Sequence, residues 1–219
     1  MRTLRRILLA TLAAGVLLGQ GLVGSSASAG TSHSDQVKIV PSPRVYGETR
    51  GELMTEMWRY FYSVRVGDVD PECLSIGKDD RVLVGAHDST CTIKHGRPQM
   101  WFWSTTCDTK SPPYPVTEAD QIRCAREIMH QQVDSVKVAV DELPPTTIST
   151  RRFEVISRQF TFVSPENNQF GYEPGPGTAS ADSWVAMVYL PLGNHVTRMR
   201  VTFVDGGEFV ITKTVNVVP

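Results

Sequence analysis

The stretch VTRMRVTFVDGGEFVITKTVNVV, residues 196–218, gives the clearest indication of the fold class of this chain. Two largely alternating runs, residues 196–204 and 209–218, flank Asp205-Gly206-Gly207. A period of two is typical of strands with one buried face, and Asp-Gly or Gly-Gly pairs are typical of tight hairpin turns. The stretch therefore predicts a β-hairpin made of two long strands.

The same period of two occurs upstream of the hairpin. Alternating apolar residues stand at Val136, Val138 and Val140, at Phe153 and Val155, and at Phe160 and Phe162. The run from Trp184 to Leu190 is apolar on both faces and predicts a central strand. Short strands with regular turns predict a mainly β fold, an antiparallel two-sheet sandwich of the jelly-roll or Ig-like kind.

Two helices are predicted to pack on this sandwich. Thr49-Arg50-Gly51-Glu52 has the spacing of a capping box. Apolar residues then recur at Leu53, Met57 and Phe61, which predicts a helix over residues 50–63. A threonine cap and an acidic first turn predict a second helix after Thr117. Its apolar face contains Ile122, Ala125, Met129 and Val133.

The middle of the chain gives two further expectations. Residues 82–86 and 91–93 flank a polar turn and predict a hairpin. The segment from Ser164 to Ser183 is rich in Gly, Pro and Asn and predicts a long loop, which is typical of functional or mobile segments.

The N-terminus has the features of a secretory signal peptide. Three arginines precede an apolar run from Ile7 to Val23, and Ala27-Ser28-Ala29 has the small-residue pattern of a cleavage site. The alternative is an uncleaved anchor, although the run is shorter than the ~20 residues that span a bilayer. We predict a signal peptide over residues 1–29, a tail with a candidate first strand over residues 30–45, and a single disulfide-bonded domain over residues 46–219. Export by the Sec or the twin-arginine route stays open.

The composition excludes several classes of protein. The chain has 219 residues, 22 basic and 23 acidic side chains, a formal net charge of −1, and 41% hydrophobic residues. That apolar fraction is too high for a disordered chain, and the charge lacks the positive excess of nucleic-acid-binding domains. No later apolar run approaches the length of a membrane span, so the mature form is expected not to span a membrane.

All four cysteines lie beyond the predicted signal peptide. In an oxidising compartment an even number of cysteines predicts disulfides, and the spacing fits no CxxC zinc pattern. Of the three ways to pair them, we favour Cys73–Cys91 with Cys107–Cys124, because those partners are close in sequence.

No catalytic arrangement is evident in the sequence. Residues 86–89 place a histidine, an aspartate and a serine side by side, but neighbours in a tight turn rarely converge. His87, Asp88 and His95 lack the spacing of a metal site, and His130 is expected to contact the terminal carbonyls of its helix. We therefore predict no catalytic residue, no cofactor and no metal centre, and favour a protein that is not an enzyme.

Residues Asp68, Asp70 and Glu72 are the candidates for a calcium site. Their carboxylates alternate like the start of a calcium-binding loop, and hard cations prefer such oxygen ligands. The central glycine and terminal glutamate of an EF-hand are absent, which favours a solvated acidic loop.

Three aromatic residues in predicted loops, Tyr114, Phe170 and Tyr172, are the candidate binding residues. A rigid sandwich commonly carries its function on loops, and aromatic rings bind sugars and peptides. The alternative is that these rings close the ends of the sandwich.

The order of short motifs resembles a family of uncharacterised small secreted bacterial proteins, mostly actinobacterial, labelled only "secreted protein" or "signal protein". The resemblance covers residues 46–217 and is carried by Tyr46-Gly47, Glu52 to Trp58, Cys73, Val82–Ala86, Ser89–Ile93, Gly96 to Phe102, Cys107, Ile122–Ala125, Arg158–Phe162, Pro165–Asn168, Gly171 and Leu190–His195. It implies export, four paired cysteines and a β-rich fold. The chain departs from the family at residues 75–78, 82–84 and 96–102, which implies a divergent member.

These observations favour an exported, disulfide-stabilised β-sandwich that acts as a non-catalytic binding or interaction module. Its expected partner is a cell-envelope polymer or another secreted protein. Two alternatives stay open: a secreted hydrolase acting on glycan or peptide, and a structural subunit of a secreted assembly.

Overall fold

Alternating apolar residues form strands throughout the computed structural model, which describes residues 36–68, 73–85 and 89–219. The described residues belong to one compact unit. The predicted signal peptide, residues 1–29, lies outside the described residues. None of the described helices is long and apolar enough to cross a membrane.

The described residues form fourteen strands and two α-helices. In chain order the elements are β1 (Lys38–Val40), β2 (Arg44–Val45), β3 (Glu48–Thr49), α1 (Arg50–Ser63), β4 (Ser75–Ile76), β5 (Val82–Val84), β6 (Ser89–Lys94), β7 (Gln99–Asp108), α2 (Glu118–Gln132), β8 (Val133–Val140), β9 (Thr146–Thr147), β10 (Glu154–Ile156), β11 (Phe160–Ser164), β12 (Gly175–Tyr189), β13 (Gly193–Phe203) and β14 (Glu208–Val218). The predicted mainly β sandwich with two helices is confirmed.

Two mixed sheets make the sandwich. The first has the order β1-β12-β7-β5-β4, with β10 and β11 also paired to β12, and the second has the order β6-β14-β13-β8-β9. Most pairs are antiparallel, including the predicted β13–β14 hairpin. The expectation of wholly antiparallel sheets is wrong, because β5 pairs with β7 and β6 pairs with β14 in parallel.

The predicted hairpin over residues 82–86 and 91–93 is also wrong. Strand β5 is buried on both faces and lies inside the first sheet, whereas β6 has one buried face and forms an edge of the second. The burial pattern gives the reason: a strand apolar on both faces needs neighbours above and below it. Residues 86–88, between the two strands, lie outside the described residues.

The two helices cover opposite faces of the first sheet. Helix α1 has the predicted bounds and the predicted capping box, in which the Glu52 carboxylate accepts from the Thr49 amide at 2.7 Å. Trp58 of α1 donates to Ser104 of β7, while the hydroxyl of Thr105 donates to the Ala125 carbonyl of α2. Because adjacent residues of a strand face opposite sides of the sheet, Ser104 and Thr105 place α1 and α2 on opposite faces. Helix α2 shares its face of the first sheet with the second sheet.

Strand β12 occupies much of the segment that was predicted to be a long loop. It begins at Gly175, so the connection after β11 covers only residues 165–174. The first half of β12 is built from small residues, and Ala179, Ser180 and Ala181 are completely buried. Small side chains let α2 and α1 approach the strand closely. The same small residues are uncommon in strands, which is why the composition of this segment predicts a loop.

Both predicted disulfides are present, with the favoured pairing. Cys73, just before β4, bonds to Cys91 of β6 and so connects the two sheets. Cys107 of β7 bonds to Cys124 of α2 and so attaches the helix to the first sheet. The first bond therefore joins elements of different sheets, and the second joins two consecutive elements, β7 and α2.

Candidate functional site

The connection between β7 and α2 presents an exposed aromatic ring, Tyr114. Prolines at 112, 113 and 115 prevent regular structure here, and the Pro112–Pro113 peptide bond is cis. The Tyr114 amide donates to the Ser111 carbonyl at 2.7 Å, and its backbone adopts the left-handed region with φ of 57°. The side chain is 57% exposed. The predicted binding residue is therefore at the surface.

A shallow groove of about 430 Å³ runs from this ring along the start of α2. We call it the Tyr114 groove; it is lined by Pro113, Tyr114, Pro115, Val116, Asp120, Arg123, Cys124 and Glu127. Its apolar part includes Val116, which is 72% exposed, and its polar part lies on the helix. The Thr117 hydroxyl, followed by Arg123, lowers the pKa of Asp120. The groove thus combines flat apolar surface with fixed charges of both signs.

The other two predicted binding residues, Phe170 and Tyr172, are half-buried in an aromatic cluster. The ring of Phe170 lies 4.9 Å and the ring of Tyr172 6.2 Å from Tyr62 of α1. The Tyr172 hydroxyl donates to Asp108 at 2.8 Å, and Tyr62 donates to the same carboxylate at 3.1 Å. Burial, followed by the charge of Asp108, raises the pKa of Tyr62. These contacts give the two rings a structural role at one end of the molecule.

The predicted calcium residues lie partly outside the described residues. Asp70 and Glu72 fall in the gap at 69–72. Asp68 accepts the Arg65 amide at 2.9 Å and so closes the turn after α1. Calcium binding at this loop stays a prediction.

A second groove of about 720 Å³ borders α1, but its carboxylates accept hydrogen bonds from backbone amides. The Glu48 carboxylate accepts the Lys78 amide at 2.6 Å, Glu56 accepts the Gly77 amide at 3.1 Å, and Glu52 caps the helix. None of the described residues that line this groove is aromatic, and its carboxylates hold turns or a helix end, so it is a weaker candidate than the Tyr114 groove.

Of the histidines, His195 makes a close pair with an acid. Its Nδ1 lies 2.8 Å from Asp141 Oδ2, and its Nε2 lies 3.1 Å from the Pro191 carbonyl. Asp141 also accepts the Val196 amide at 2.8 Å. Because both ring nitrogens are engaged, this pair fastens the start of β13 and does not activate a nucleophile. His87 and Asp88 lie outside the described residues, and His95 is exposed.

Serine 89 of the His-Asp-Ser stretch contacts a buried lysine. The Lys213 ammonium donates to the Ser89 hydroxyl at 2.6 Å and lies 3.6 Å from Cys91 Sγ. Lys213 belongs to the inward-facing set of β14 and is only 1% exposed. A substrate cannot reach its amine in this arrangement, so the pair does not form an open catalytic site.

A cluster missed by the sequence analysis lies where α2 crosses β12. Asp182 of β12 has a completely buried side chain, Glu154 of β10 is 20% exposed, and His130 of α2 is 50% exposed. Arg126 joins them, with Nη2 3.0 Å from Glu154 Oε1 and Nε 3.4 Å from Asp182 Oδ2. Burial, followed by the nearby Glu154 charge, raises the pKa of Asp182.

The sequence contained only part of the signal for this cluster. Arg126 and His130 are four residues apart and therefore share a face of α2. Asp182 lay in the segment predicted to be a loop, so its inward position beneath the helix was hidden. His130 contacts side chains of the sheet; the Met129 carbonyl accepts from the C-cap Val133 amide instead.

Comparisons with known proteins do not assign this chain. It matches no protein-family model, and a search of curated proteins gives no match.

Proposed function

We propose that this protein is an exported, disulfide-stabilised and non-catalytic binding module that binds a cell-envelope polymer in the Tyr114 groove. The observation that carries the proposal is the exposed Tyr114 ring on a left-handed backbone; Tyr46 has a similar backbone, but its hydroxyl donates to the Gly96 carbonyl and its ring contacts Arg81. For a residue with a Cβ, this conformation costs roughly 1–2 kcal/mol. A tyrosine that is 57% exposed recovers little of that cost through burial. Strain of this kind concentrates at functional sites.

The lining of the groove supports a polymer of mixed character. The Tyr114 ring and the flanking prolines provide flat apolar surface, while Asp120, Arg123 and Glu127 provide charges and hydrogen-bonding groups. Envelope glycans and their peptides carry both apolar faces and polar groups. A shallow groove accommodates a segment of such a chain more readily than a compact small molecule, because small molecules are usually bound in enclosing pockets.

The Cys107–Cys124 disulfide supports a preorganised binding surface. It closes the segment that contains the whole connection between β7 and α2, residues 109–117, and the first turn of α2. A loop that is ordered before binding loses less conformational entropy on binding, which raises affinity. The export part of the proposal is supported by the features of residues 1–29 and by the two disulfides, which form and persist in oxidising compartments.

The experiment is a thermal-shift series on the oxidised protein comprising residues 30–219, with soluble peptidoglycan fragments and polysaccharides. A ligand at a hundred times its Kd stabilises the folded state by about 2.7 kcal/mol. For a domain of this size that raises the Tm by roughly 5–10 °C. An unchanged Tm with every polymer would contradict the envelope-binding proposal.

The matched variant is Tyr114→Asn. Asparagine tolerates the left-handed region better than tyrosine, so the variant is expected to be as stable as the parent or more stable by about 0.5–1 kcal/mol. It removes the ring and is expected to abolish the ligand-induced shift. Leu192→Ala, a change at another exposed apolar residue outside the groove, is expected to keep the shift.

A specific observation also favours the second candidate function, a subunit of a secreted assembly. Three aromatic rings, Trp103, Phe203 and Phe209, cluster with centroids 5.7 and 5.9 Å from Trp103, and Phe209 is 44% exposed. Within the described part of the chain, the buried Nε1 of Trp103 has no hydrogen-bond partner. Trp103 and Phe203 are half-buried against the core, so Phe209 is the exposed ring of this cluster, and exposed apolar surface of this kind fits a protein contact.

The mass in solution separates the two candidate functions. If the protein acts through the Tyr114 groove and is not an assembly subunit, sedimentation equilibrium of the oxidised protein is expected to give the monomer mass. A larger mass that returns to the monomer value in Phe209→Ser, with the fold retained, would favour the assembly subunit.

A further inference from the structure

Two carboxylates and an imidazole converge on one point where α2 crosses the edge of the first sheet. The Nε2 atom of His130 lies 4.0 Å from Glu154 Oε1 and 4.0 Å from Asp182 Oδ2. The three ligand atoms all lie within 4.8 Å of one another. They come from three different elements, α2, β10 and β12, so the tertiary fold brings them together.

The geometry points to a metal site, and we propose that His130, Glu154 and Asp182 bind a divalent transition metal, with zinc as the best fit. Zinc binds imidazole nitrogen and carboxylate oxygen at about 2.0–2.2 Å, which places tetrahedral ligand atoms about 3.3–3.5 Å apart. The two separations from His130 are 4.0 Å, and all three ligand atoms lie within 4.8 Å of one another, so side-chain rotations that draw them together reach that geometry. An imidazole ligand disfavours calcium and magnesium, which prefer oxygen alone.

The surroundings of the three residues favour ligand geometry. Asp182 is held at its other oxygen, because Oδ1 accepts the Ser183 amide at 3.0 Å. The His130 ring packs edge-on against Trp184, with centroids 5.4 Å apart and an interplanar angle of 88°. Fixed outer contacts of this kind orient ligands and strengthen metal binding. Three protein ligands leave a fourth position, and the half-exposed His130 places that position toward solvent.

The charges of the cluster favour a further cation. Two carboxylates face a single guanidinium, Arg126, when His130 is neutral. The Arg126 side chain is 45% exposed, so it can move into solvent, whereas the Asp182 side chain is completely buried and cannot. Arg126 and the metal are therefore alternatives: the ion replaces the guanidinium between the two carboxylates.

This competition predicts the direction of one change in zinc affinity. Arg126→Gln is expected to strengthen zinc binding by about two- to tenfold, because it removes a positive charge that repels the ion and the two ion pairs that the ion has to displace. His130→Ala removes a ligand. Loss of an outer contact alone costs about 10- to 100-fold in metal affinity, so loss of the ligand is expected to exceed about 100-fold.

The experiment titrates ZnCl₂ into the oxidised, tag-free protein comprising residues 30–219, followed by calorimetry and by the Tm. His95→Ala is the matched control, since His95 is another exposed histidine away from the cluster. We expect one zinc ion per chain in the parent, unchanged binding in His95→Ala, tighter binding in Arg126→Gln and loss in His130→Ala. Circular dichroism of each zinc-free variant establishes that it is folded.

A second readout uses Co²⁺ as a probe of the ligand set. Tetrahedral cobalt is expected to give intense visible absorption bands in the parent that disappear in His130→Ala. Three results would overturn the proposal: no zinc binding by the parent, zinc binding that His130→Ala leaves intact, or weaker zinc binding in Arg126→Gln. Binding of calcium that does not depend on His130 would overturn the proposed ligand set as well.

Discussion

At the scale of single residues, the buried carboxylate of Asp108 organises the aromatic end of the molecule. It accepts the hydroxyls of Tyr62 and Tyr172 and the amides of Lys110 and Ser111, which lie at the start of the connection that carries Tyr114. Burial, the largest cause, raises the pKa of both tyrosines. The aromatic end is therefore stable while both phenols keep their protons.

The raised pKa values predict a loss of stability in alkali. In the unfolded chain a tyrosine loses its proton near pH 10, whereas the folded protein holds both protons to higher pH. The unfolded state therefore binds fewer protons above pH 10, and the free energy of unfolding falls as the pH rises. Tyr172→Phe cannot ionise at this position, so its stability should fall less steeply.

Chemical denaturation at a series of pH values measures this effect. At pH 7 Tyr172→Phe is expected to be less stable than the parent by about 1.5–3 kcal/mol, because it loses one hydrogen bond to a charged group. The difference should narrow above pH 10. Tyr114→Phe, with an exposed ring outside the cluster, is the matched control. A gap between Tyr172→Phe and the parent that stays constant up to pH 12 would contradict this explanation.

At the scale of elements, strand β12 depends on small residues that let its neighbours approach. A Cβ atom built at Gly177 would lie 2.5 Å from Cζ of Phe162 on β11. The Phe162 ring also stacks on Tyr62 with centroids 3.9 Å apart, so it cannot move without disturbing α1. Gly177→Ala is therefore expected to lower the free energy of unfolding by about 1–3 kcal/mol.

Urea denaturation tests this prediction, with Thr161→Ala on the exposed face of β11 as the control. The control is expected to stay within about 0.5 kcal/mol of the parent, because surface substitutions are usually that mild. A Gly177→Ala variant as stable as the control would show that β12 and β11 pack more loosely than described.

The elements also show which parts of the fold are readable from sequence. Helix α1 and the β13–β14 hairpin carry local signals, a capping box and an Asp-Gly-Gly turn, and both have the predicted form. The start of β12 and the separation of β5 from β6 depend on distant partners, so local composition was misleading. The same distinction applies to the candidate sites. The exposure of Tyr114 can be predicted because the residue stands among prolines in a loop, whereas Asp182, Glu154 and His130 come from three elements and meet only after folding.

At the scale of the whole molecule, the two disulfides have different expected roles. Cys73–Cys91 connects the two sheets, whereas Cys107–Cys124 closes the segment that carries the Tyr114 groove. Replacing either pair with alanine is expected to cost about 2–4 kcal/mol of stability. Only the loss of Cys107–Cys124 is expected to weaken binding of an envelope polymer as well, because the groove then loses its preorganisation.

Polymer affinity and stability measured on both double variants test this division. The Cys73→Ala, Cys91→Ala variant, studied at a temperature where it is folded, is the control for a general loss of stability. Equal losses of affinity in the two variants would mean that the Cys107–Cys124 bond has no particular role in the groove.

Cosedimentation is the most direct measurement of whether the Tyr114 groove binds the cell envelope. The oxidised protein comprising residues 30–219 is mixed with isolated envelope of the producing cell, and the fraction in the pellet is compared between the parent and Tyr114→Asn. The parent is expected to enter the pellet, while Tyr114→Asn, at equal or higher Tm, is expected to stay in the supernatant. Equal pelleting of both proteins, or pelleting of neither, would contradict envelope binding by the groove.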